Sequence, residues 1–352
     1  MHVRRTTGRL TAAIVAALAV GLTSAPTPVT AAPPATRLAA PSGDDEGGTP
    51  ALRAQLDAAS KGWLDAKAAL ERSTRRQQEL NNQLKTVESE LTARSSKVGE
   101  IAGVAYRTGR LGPVSALLNS GSPEGFLDRA AALATVASKE DRELRNLLKT
   151  KEEVTRTRSA LANEIVEQRK QIAVMDKRKQ QAERALEVAA SAQSAPRATS
   201  SAPRGTSRAN ARSAPRNSDG SFPPESCSVN DPTPANGCIT PRMLNALQQT
   251  QAAGFTRYVS CYRPGGSGEH PKGRACDFAA QKGGFGGDAT GGDRTYGDNL
   301  AAFHVRNADR LGVLYVIWYR QIWLPSSGWK SYSGANGDPS SDHTNHVHLS
   351  VY

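Results

Sequence analysis

Two short stretches near the C-terminal end of the sequence hold most of the residues that could do chemistry. Residues 268–277 read Gly-Glu-His-Pro-Lys-Gly-Arg-Ala-Cys-Asp, and residues 342–348 read Asp-His-Thr-Asn-His-Val-His. They contain four of the six histidines of the chain. An open zinc site uses three protein ligands, commonly imidazole or carboxylate, and leaves a fourth position for water. The sequence therefore predicts that His270, Asp277 and His348 bind one zinc ion.

The spacing of these residues allows them to meet. Residues two apart in a strand share a face, so His346 and His348 should point the same way, and so should Ala275 and Asp277. The small Ala275 leaves room beside a ligand. His270 precedes a Pro-Lys-Gly turn that should bring it back toward Asp277. We expect the three ligands to converge from two strand regions.

These residues resemble the motif of the VanY-like zinc D-alanyl-D-alanine carboxypeptidases. His270, Gly273, Ala275 and Asp277 match the pattern His-x-x-Gly-x-Ala-x-Asp. Residues 342–348 are similar to the His-x-His ending of the same fold, which the Hedgehog signalling domain shares. The resemblance covers roughly the last hundred residues.

The resemblance implies a role for each matching residue. The three predicted ligands would bind zinc. Tyr262-Arg263 resembles the Tyr-Arg pair of the family, so Arg263 would hold a substrate carboxylate or the developing oxyanion. Asp342 stands where the family has its general-base glutamate. Aspartate is one methylene shorter than glutamate, and His346 or His343 is an alternative acceptor for the proton.

By this resemblance the chain is expected to be an exported zinc-dependent peptidase of the D-alanyl carboxypeptidase or endopeptidase type. Its substrate would be the stem peptides or cross-links of peptidoglycan, cleaved by metal-activated water. The alternative is a non-catalytic protein that binds the cell wall, or a scaffold that activates another hydrolase through its helices. The residues do not specify which peptide bond is cut.

The N-terminal residues predict export. Residues 1–31 combine a basic start, an apolar run from Leu10 to Leu22 and small residues near Ala31, which is the layout of a signal peptide. Removing its three arginines lowers the formal net charge from +12 to +9. A basic exported surface favours anionic wall polymers or lipid head groups, whereas export argues against a nucleic-acid partner. The predicted location is outside the cell, associated with the wall.

The cysteines agree with export. Cys227, Cys238, Cys261 and Cys276 all lie in the last third of the chain and contain no Cys-x-x-Cys pair, so two disulfides are expected. The most local pairing joins the first two and the last two, but the sequence does not fix it. Strand alternation would place Cys261 on the face of Arg263 and Cys276 opposite Asp277. That pairing would therefore conflict with a shared site for Arg263 and Asp277.

Residues 51–190 predict a coiled-coil helical hairpin. In the first half of this range, mainly apolar residues recur every seven positions in two registers that lie three positions apart. A similar pattern runs from about 140 to 190. The first seam contains Leu56, Trp63, Leu70, Gln77, Leu84, Leu91 and Val98, with Ala59, Ala66, Ser73, Leu80, Val87, Arg94 and Ile101 three positions later. The second contains Leu147, Val154, Leu161, Gln168 and Met175, with Leu144, Ile165, Ile172 and Leu186.

Glycines and prolines between residues 109 and 123 predict the bend of this hairpin, with short helices at 114–118 and 126–136. The region resembles the coiled coils in front of exported cell-wall hydrolases and murein hydrolase activators, notably at Tyr106-Arg107-Thr108-Gly109. The resemblance implies a membrane or division protein, or another wall hydrolase, as a partner. A simple spacer is the alternative.

The remaining segments complete the predicted organisation. Residues 32–50 should be disordered, and the Ser/Ala/Pro/Arg-rich residues 191–221 should form a flexible linker. Residues 222–352 should form one α+β domain of the metallopeptidase type described above. Its predicted elements are helices at 240–253 and 299–311, strands at 255–262, 274–279, 313–323 and 346–352, and a glycine-rich loop at 281–292.

Overall fold

We describe the chain from a computed structural model. The predicted signal peptide, and the predicted disordered segment up to residue 47, lie outside the described residues. No helix among the described residues has the length and apolar character needed to cross a membrane. The structure describes residues 48–109, 112–192, 203, 205–332 and 337–352.

The N-terminal part is a hairpin of two long helices. Helix α1 spans Pro50–Thr108 and helix α3 spans Pro123–Ala192, with the short α2 (Gly112–Leu118) at the bend. Thr49 caps α1 by accepting the N–H of Leu52. The predicted long helical region is therefore present. The prediction of a separate short helix at 126–136 was wrong, because α3 begins at Pro123 and runs through that segment without a break.

The two long helices pack antiparallel along the predicted seam. Gln168 donates to Gln77 across the seam at 2.9 Å, and Ser73 donates to the Glu164 carboxylate at 2.7 Å. These bonds satisfy polar groups that interrupt the apolar repeat. Six of the predicted α1 seam positions are buried: Leu56, Ala59, Ala66, Ser73, Leu80 and Val87.

The C-terminal domain is built on a six-stranded antiparallel sheet of order β3-β4-β8-β5-β6-β7. The combination of this sheet with helices confirms the predicted α+β class. The strands are β3 (Val259–Ser260), β4 (Ala275–Ala279), β5 (Val313–Trp318), β6 (Gln321–Leu324), β7 (Gly328–Ser331) and β8 (His346–Val351). A separate ribbon pairs β1 (Val229–Asn230) with β2 (Cys238–Ile239), and the helices are α4 (Pro241–Ala252), α5 (Gly291–Arg306) and α6 (Ala308–Leu311).

The two faces of the sheet have different neighbours. On one face, Val347 and Leu349 of β8 pack with α4 and α5 in the main core. The opposite face carries His346 and His348 of the same strand, because strand residues alternate between faces. Farther along that second face, β5 and β6 pack against the base of the helical hairpin.

One predicted strand is two strands. Residues 313–323 form β5 and β6, joined by a turn at Tyr319 and Arg320 with φ of 53° and 66°. Left-handed φ at both central residues is typical of a tight hairpin turn, usually formed by Asn-Gly. The sequence did not predict this turn, because bulky residues such as Tyr319 and Arg320 seldom adopt left-handed φ. Helix α5 also begins at Gly291 rather than 299, because the glycine-rich stretch runs into its first turn.

Part of the segment predicted to be a flexible linker lies on the C-terminal domain. Over residues 205–221 the chain has no helix or strand, but three of its backbone N–H groups donate to side chains of the domain. Ala211 donates to Asn307 Oδ1 at 2.8 Å, and Arg212 donates to Gln249 Oε1 at 2.8 Å. Gly205 passes so close to Asp298 that a Cβ there would lie 1.7 Å from its carbonyl oxygen.

Both disulfides follow the local pairing, Cys227 with Cys238 and Cys261 with Cys276. They suggest an environment outside the cytoplasm. The expected conflict with a shared site for Arg263 and Asp277 does not arise. Strand β3 ends at Ser260, so the alternation of faces does not extend to Arg263.

Candidate metal centre

The register of the sheet brings two of the predicted ligands together. Strands β4 and β8 are neighbours, and Asp277 lies directly opposite His348. Opposite residues of an antiparallel pair share a face, so both side chains point to the same side. Asp277 Oδ1 lies 2.9 Å from His348 Nδ1.

The third predicted ligand comes from a short 3₁₀ turn. This turn spans His270–Lys272 and ends at Gly273, whose φ is +68°. A Cβ at Gly273 would lie 2.6 Å from Cys227 Sγ and 2.7 Å from the carbonyl oxygen of Cys238. Glycine is therefore required for both conformation and space. The turn places His270 Nε2 3.1 Å from Asp277 Oδ2.

His270, Asp277 and His348 form a compact group. Each offers one ligand atom, and these atoms lie within 4.8 Å of one another. At most 1% of each residue is exposed. The structure therefore brings together the three residues predicted to bind metal, and this buried group could hold one ion.

The hydrogen bonds of the two imidazoles suit a cation between them. His270 Nδ1 contacts the carbonyl oxygen of Cys261, which can only accept, so Nδ1 carries the proton and Nε2 presents a lone pair. His348 Nε2 contacts Ser350 Oγ at 2.8 Å. With the Nε2 proton donated to Ser350, Nδ1 of His348 presents its lone pair toward Asp277. Lone pairs and a carboxylate then converge, and this donor set fits a metal ion.

The electrostatics favour an ionised Asp277. Complete burial disfavours its charge, but His270 and His346 outweigh this effect and hold the pKa of the carboxyl well below its ordinary value. A carboxylate that stays charged in a buried site is an effective ligand for a hard or borderline cation.

Two further histidines line the centre. His346 Nε2 lies 3.4 Å from Asp277 Oδ1, and its Nδ1 contacts Asn345 Oδ1 at 2.6 Å. The Asn345 oxygen accepts the Nδ1 proton, so Nε2 faces the site as a base. Burial lowers the pKa of His346 to about 4, partly against the attraction of Asp277. The ring is therefore neutral at neutral pH, and its unprotonated Nε2 faces Asp277.

His343 is the second of these. Its ring centroid lies 4.8 Å from that of His346 and 5.8 Å from that of His348. Nδ1 contacts the Ser341 carbonyl oxygen at 3.1 Å, and Nε2 has no hydrogen-bond partner among the described residues. Burial, followed by the nearby His346 and His348, holds the pKa of His343 well below its ordinary value.

Arg263 also reaches the centre. Its Nη1 lies 3.3 Å from Asp277 Oδ2, and 16% of its side chain is exposed. A guanidinium at the rim of a buried site can bind a carboxylate or a developing negative charge on a carbonyl oxygen. The role that the family resemblance implies for Arg263 stays a prediction.

Asp342 is differently engaged. Its Oδ2 lies 2.7 Å from Arg320 Nε, and its Oδ1 accepts the backbone N–H of Gly337 at 3.2 Å. Both oxygens therefore have structural partners. Of the residues predicted to act as the base, His346 is the one with an atom close to Asp277.

The residues that orient the imidazoles were not among the predicted site residues. Ser350 supports His348 and Asn345 supports His346. Ser350 lies two residues beyond His348 on the same strand, so its place on the ligand face could have been read from alternation. His270 is oriented by the backbone carbonyl of Cys261, and every residue has such a carbonyl, so the sequence could not have identified this contact.

Comparison with known protein families gives a match to part of the chain. A family model described as VldE, C-terminal domain matches residues 235–347. The match includes His270, Asp277 and His346 and ends one residue before His348. Neither curated proteins nor solved structures gave a match.

Proposed function

We propose that the chain is an exported zinc-dependent peptidase that cleaves peptidoglycan stem peptides or their cross-links. The observation that carries the proposal is the buried group of His270, Asp277 and His348, with the imidazole of His346 and the guanidinium of Arg263 beside it. Metal ligands, a basic nitrogen and a cation on the rim are groups that metal-assisted hydrolysis of an amide can use.

The two disulfides support a location outside the cytoplasm, where peptidoglycan is found. The substrate itself is inferred from the resemblance to the VanY-like carboxypeptidases. Association with the cell wall is part of the proposal.

A zinc ion held by the three ligands would supply a Lewis acid and would lower the pKa of a bound water to about 7. His346 Nε2 accepts the proton of the attacking water and passes it to the leaving amine, while Asn345 holds the ring in the required tautomer. Arg263 orients the substrate carbonyl or carboxylate. Asp277, kept ionised, balances the positive charge of the site.

Elemental analysis and digestion of purified muropeptides test the proposal. The purified chain should carry about one zinc ion, and a chelator should abolish digestion until zinc is restored. His346→Gln should retain zinc and lose digestion, whereas His348→Ala should lose both. The assay also includes Leu56→Ala, a variant of a buried residue at the base of the hairpin. If neither the zinc-loaded wild type nor the zinc-loaded Leu56→Ala variant digests muropeptides, the proposal is contradicted.

A second candidate function is activation of another wall hydrolase through the hairpin. The observation that favours it is a set of exposed apolar side chains near the bend, including Tyr106 (90% exposed), Leu118 (79%) and Leu127 (67%). Under this function, a Leu118→Ser/Leu127→Ser variant should lose stimulation of a wall hydrolase in a reconstituted digestion while keeping its zinc. Unchanged stimulation would count against it.

A further inference from the structure

The sheet face that carries the metal centre also carries the base of the helical hairpin. Ile317 of β5 lies directly opposite His348 of β8, and Ile322 of β6 lies opposite Ile317. These side chains therefore follow one another across the same face. Ile317 and Ile322 pack with Leu56 of α1 and Leu186 of α3.

An aromatic side chain links the two areas. Tyr315 of β5 stacks on His348 with ring centroids 5.7 Å apart and an interplanar angle of 9°. The same tyrosine belongs to the cluster that includes Leu52, Ala59 and Ala185 of the hairpin. One ring therefore separates a metal ligand from the hairpin.

Two polar contacts tie the hairpin to the segment around the first ligand. Arg53 of α1 donates to Ser267 Oγ at 2.8 Å, three residues before His270. Asp57 of α1 lies 3.5 Å from Arg274, and Arg274 pairs with Glu269, the residue directly before His270. The hairpin base therefore contacts the loop that positions this ligand, in addition to the sheet.

The metal centre is closed in this arrangement. At most 1% of His270, Asp277, His346 and His348 is exposed. A peptide that extended from this centre over β5 and β6 would meet the base of the hairpin, which packs on that part of the ligand face.

We propose that the base of the hairpin is an autoinhibitory element of the proposed peptidase, and that movement of Leu56 and its neighbours away from β5 and β6 admits the substrate. The proposal rests on the proposed function. The hairpin is a suitable lever, because α1 and α3 extend far beyond the domain and a force or a partner on the bend would act on the base. The contact is apolar, so separating the hairpin base from β5 and β6 would expose buried side chains to water at a cost in free energy.

Two matched variants test this. Leu56→Ala removes a side chain at the interface with the domain, and Leu80→Ala removes the same side chain from the helical seam, where it is also buried. Both variants weaken the hairpin, but only Leu56→Ala loosens its contact with the sheet. We measure the rate at which a small coloured chelator extracts zinc from the full chain, and the rate of muropeptide digestion.

Leu56→Ala should increase both rates by about tenfold or more, because local opening becomes less costly. Leu80→Ala should leave both near the wild-type rates. Equal rates for wild type and Leu56→Ala, or an equal increase with Leu80→Ala, would overturn the proposal. If zinc extraction accelerates in Leu56→Ala alone but neither protein digests muropeptides, the hairpin contact is upheld and the proposed peptidase function fails.

Discussion

Asp342 Oδ2 lies 2.7 Å from Nε and 2.7 Å from Nη2 of Arg320, so this carboxylate forms a forked ion pair with one guanidinium. Asp342 is 2% exposed. The resemblance to VanY-like enzymes predicted a general-base role for Asp342, but its geometry is that of a structural ion pair. His346 is the residue whose basic nitrogen faces Asp277.

Substitution of Asp342 should therefore mainly lower stability, whereas substitution of His346 should mainly lower digestion. Asp342→Asn should lower the free energy of unfolding by about 1–3 kcal/mol, because a buried acceptor loses its charge beside Arg320. It should reduce digestion less than about tenfold. His346→Gln should reduce digestion by about 10²–10⁴. Urea unfolding and muropeptide digestion separate the two, and a complete loss of digestion in stable, zinc-loaded Asp342→Asn would return the base role to Asp342.

Gly273→Ala should lower both stability and zinc affinity, although Gly273 is not a predicted ligand. The φ of Gly273 is +68°, and an added Cβ would meet the Cys238 backbone. We expect a loss of about 1–3 kcal/mol in the free energy of unfolding and a weaker affinity for zinc, because the 3₁₀ turn holds His270. Gly287→Ala is the control, since its Cβ would meet nothing within 4 Å. Equal zinc affinity in the two variants would show that the turn does not set the ligand position.

Metal binding should stabilise the folded chain. Zinc at about 100 times its dissociation constant should raise the free energy of unfolding by about 2.7 kcal/mol. Asp277→Ala should lose this increase. Asp293→Ala, which removes a carboxylate paired with Arg257, should retain it. Thermal unfolding with and without zinc measures the effect, and stabilisation of Asp277→Ala by zinc would exclude the proposed ligand set.

His304 should make stability fall in mild acid. Burial lowers the pKa of its imidazole to about 3. Nε2 contacts Thr250 Oγ1 at 3.0 Å, and Nδ1 has no hydrogen-bond partner among the described residues, so a second proton would be buried without an acceptor. The unfolded chain accepts that proton near pH 6.5. Below that pH the unfolded state binds more protons, and its relative free energy falls.

The expected loss is about 1.4 kcal/mol for each pH unit well below 6.5, or roughly 2 kcal/mol between pH 7 and pH 5. The contribution is complete above pH 6.5 and is lost as the pH falls toward 3. His304→Gln should remove this part of the slope, which urea unfolding from pH 7 to pH 4.5 would measure. The same slope in His304→Gln and wild type would refute the assignment.

Sequence patterns were informative where one period governs the structure. The heptads placed Leu56 and Leu80 at buried positions, and strand alternation placed His346 and His348 on one face. The His-x-x-Gly-x-Ala-x-Asp spacing identified residues that do meet, because Gly273 and the short β4 strand fix the distance from His270 to Asp277.

The remaining features depend on contacts that residue type does not encode. The turn at Tyr319 and Arg320 has left-handed backbone in residues that seldom adopt it. The pairing of Asp342 with Arg320 joins residues 22 positions apart. Packing of the hairpin base on β5 and β6 followed from no periodicity, because both partners read as ordinary apolar faces.

The bond between Cys261 and Cys276 has a consequence for when the chain can act. Cys261 supplies the carbonyl that orients His270, and Cys276 is the neighbour of Asp277. One covalent bond therefore links the segments that position these two residues of the candidate metal centre. While the sulfurs are reduced, as in a cytosol, that covalent link is missing and only packing would hold the two segments together. In an oxidising environment outside the cytoplasm the bond would form, so the proposed enzyme would become active only there, away from the interior of the cell that makes it.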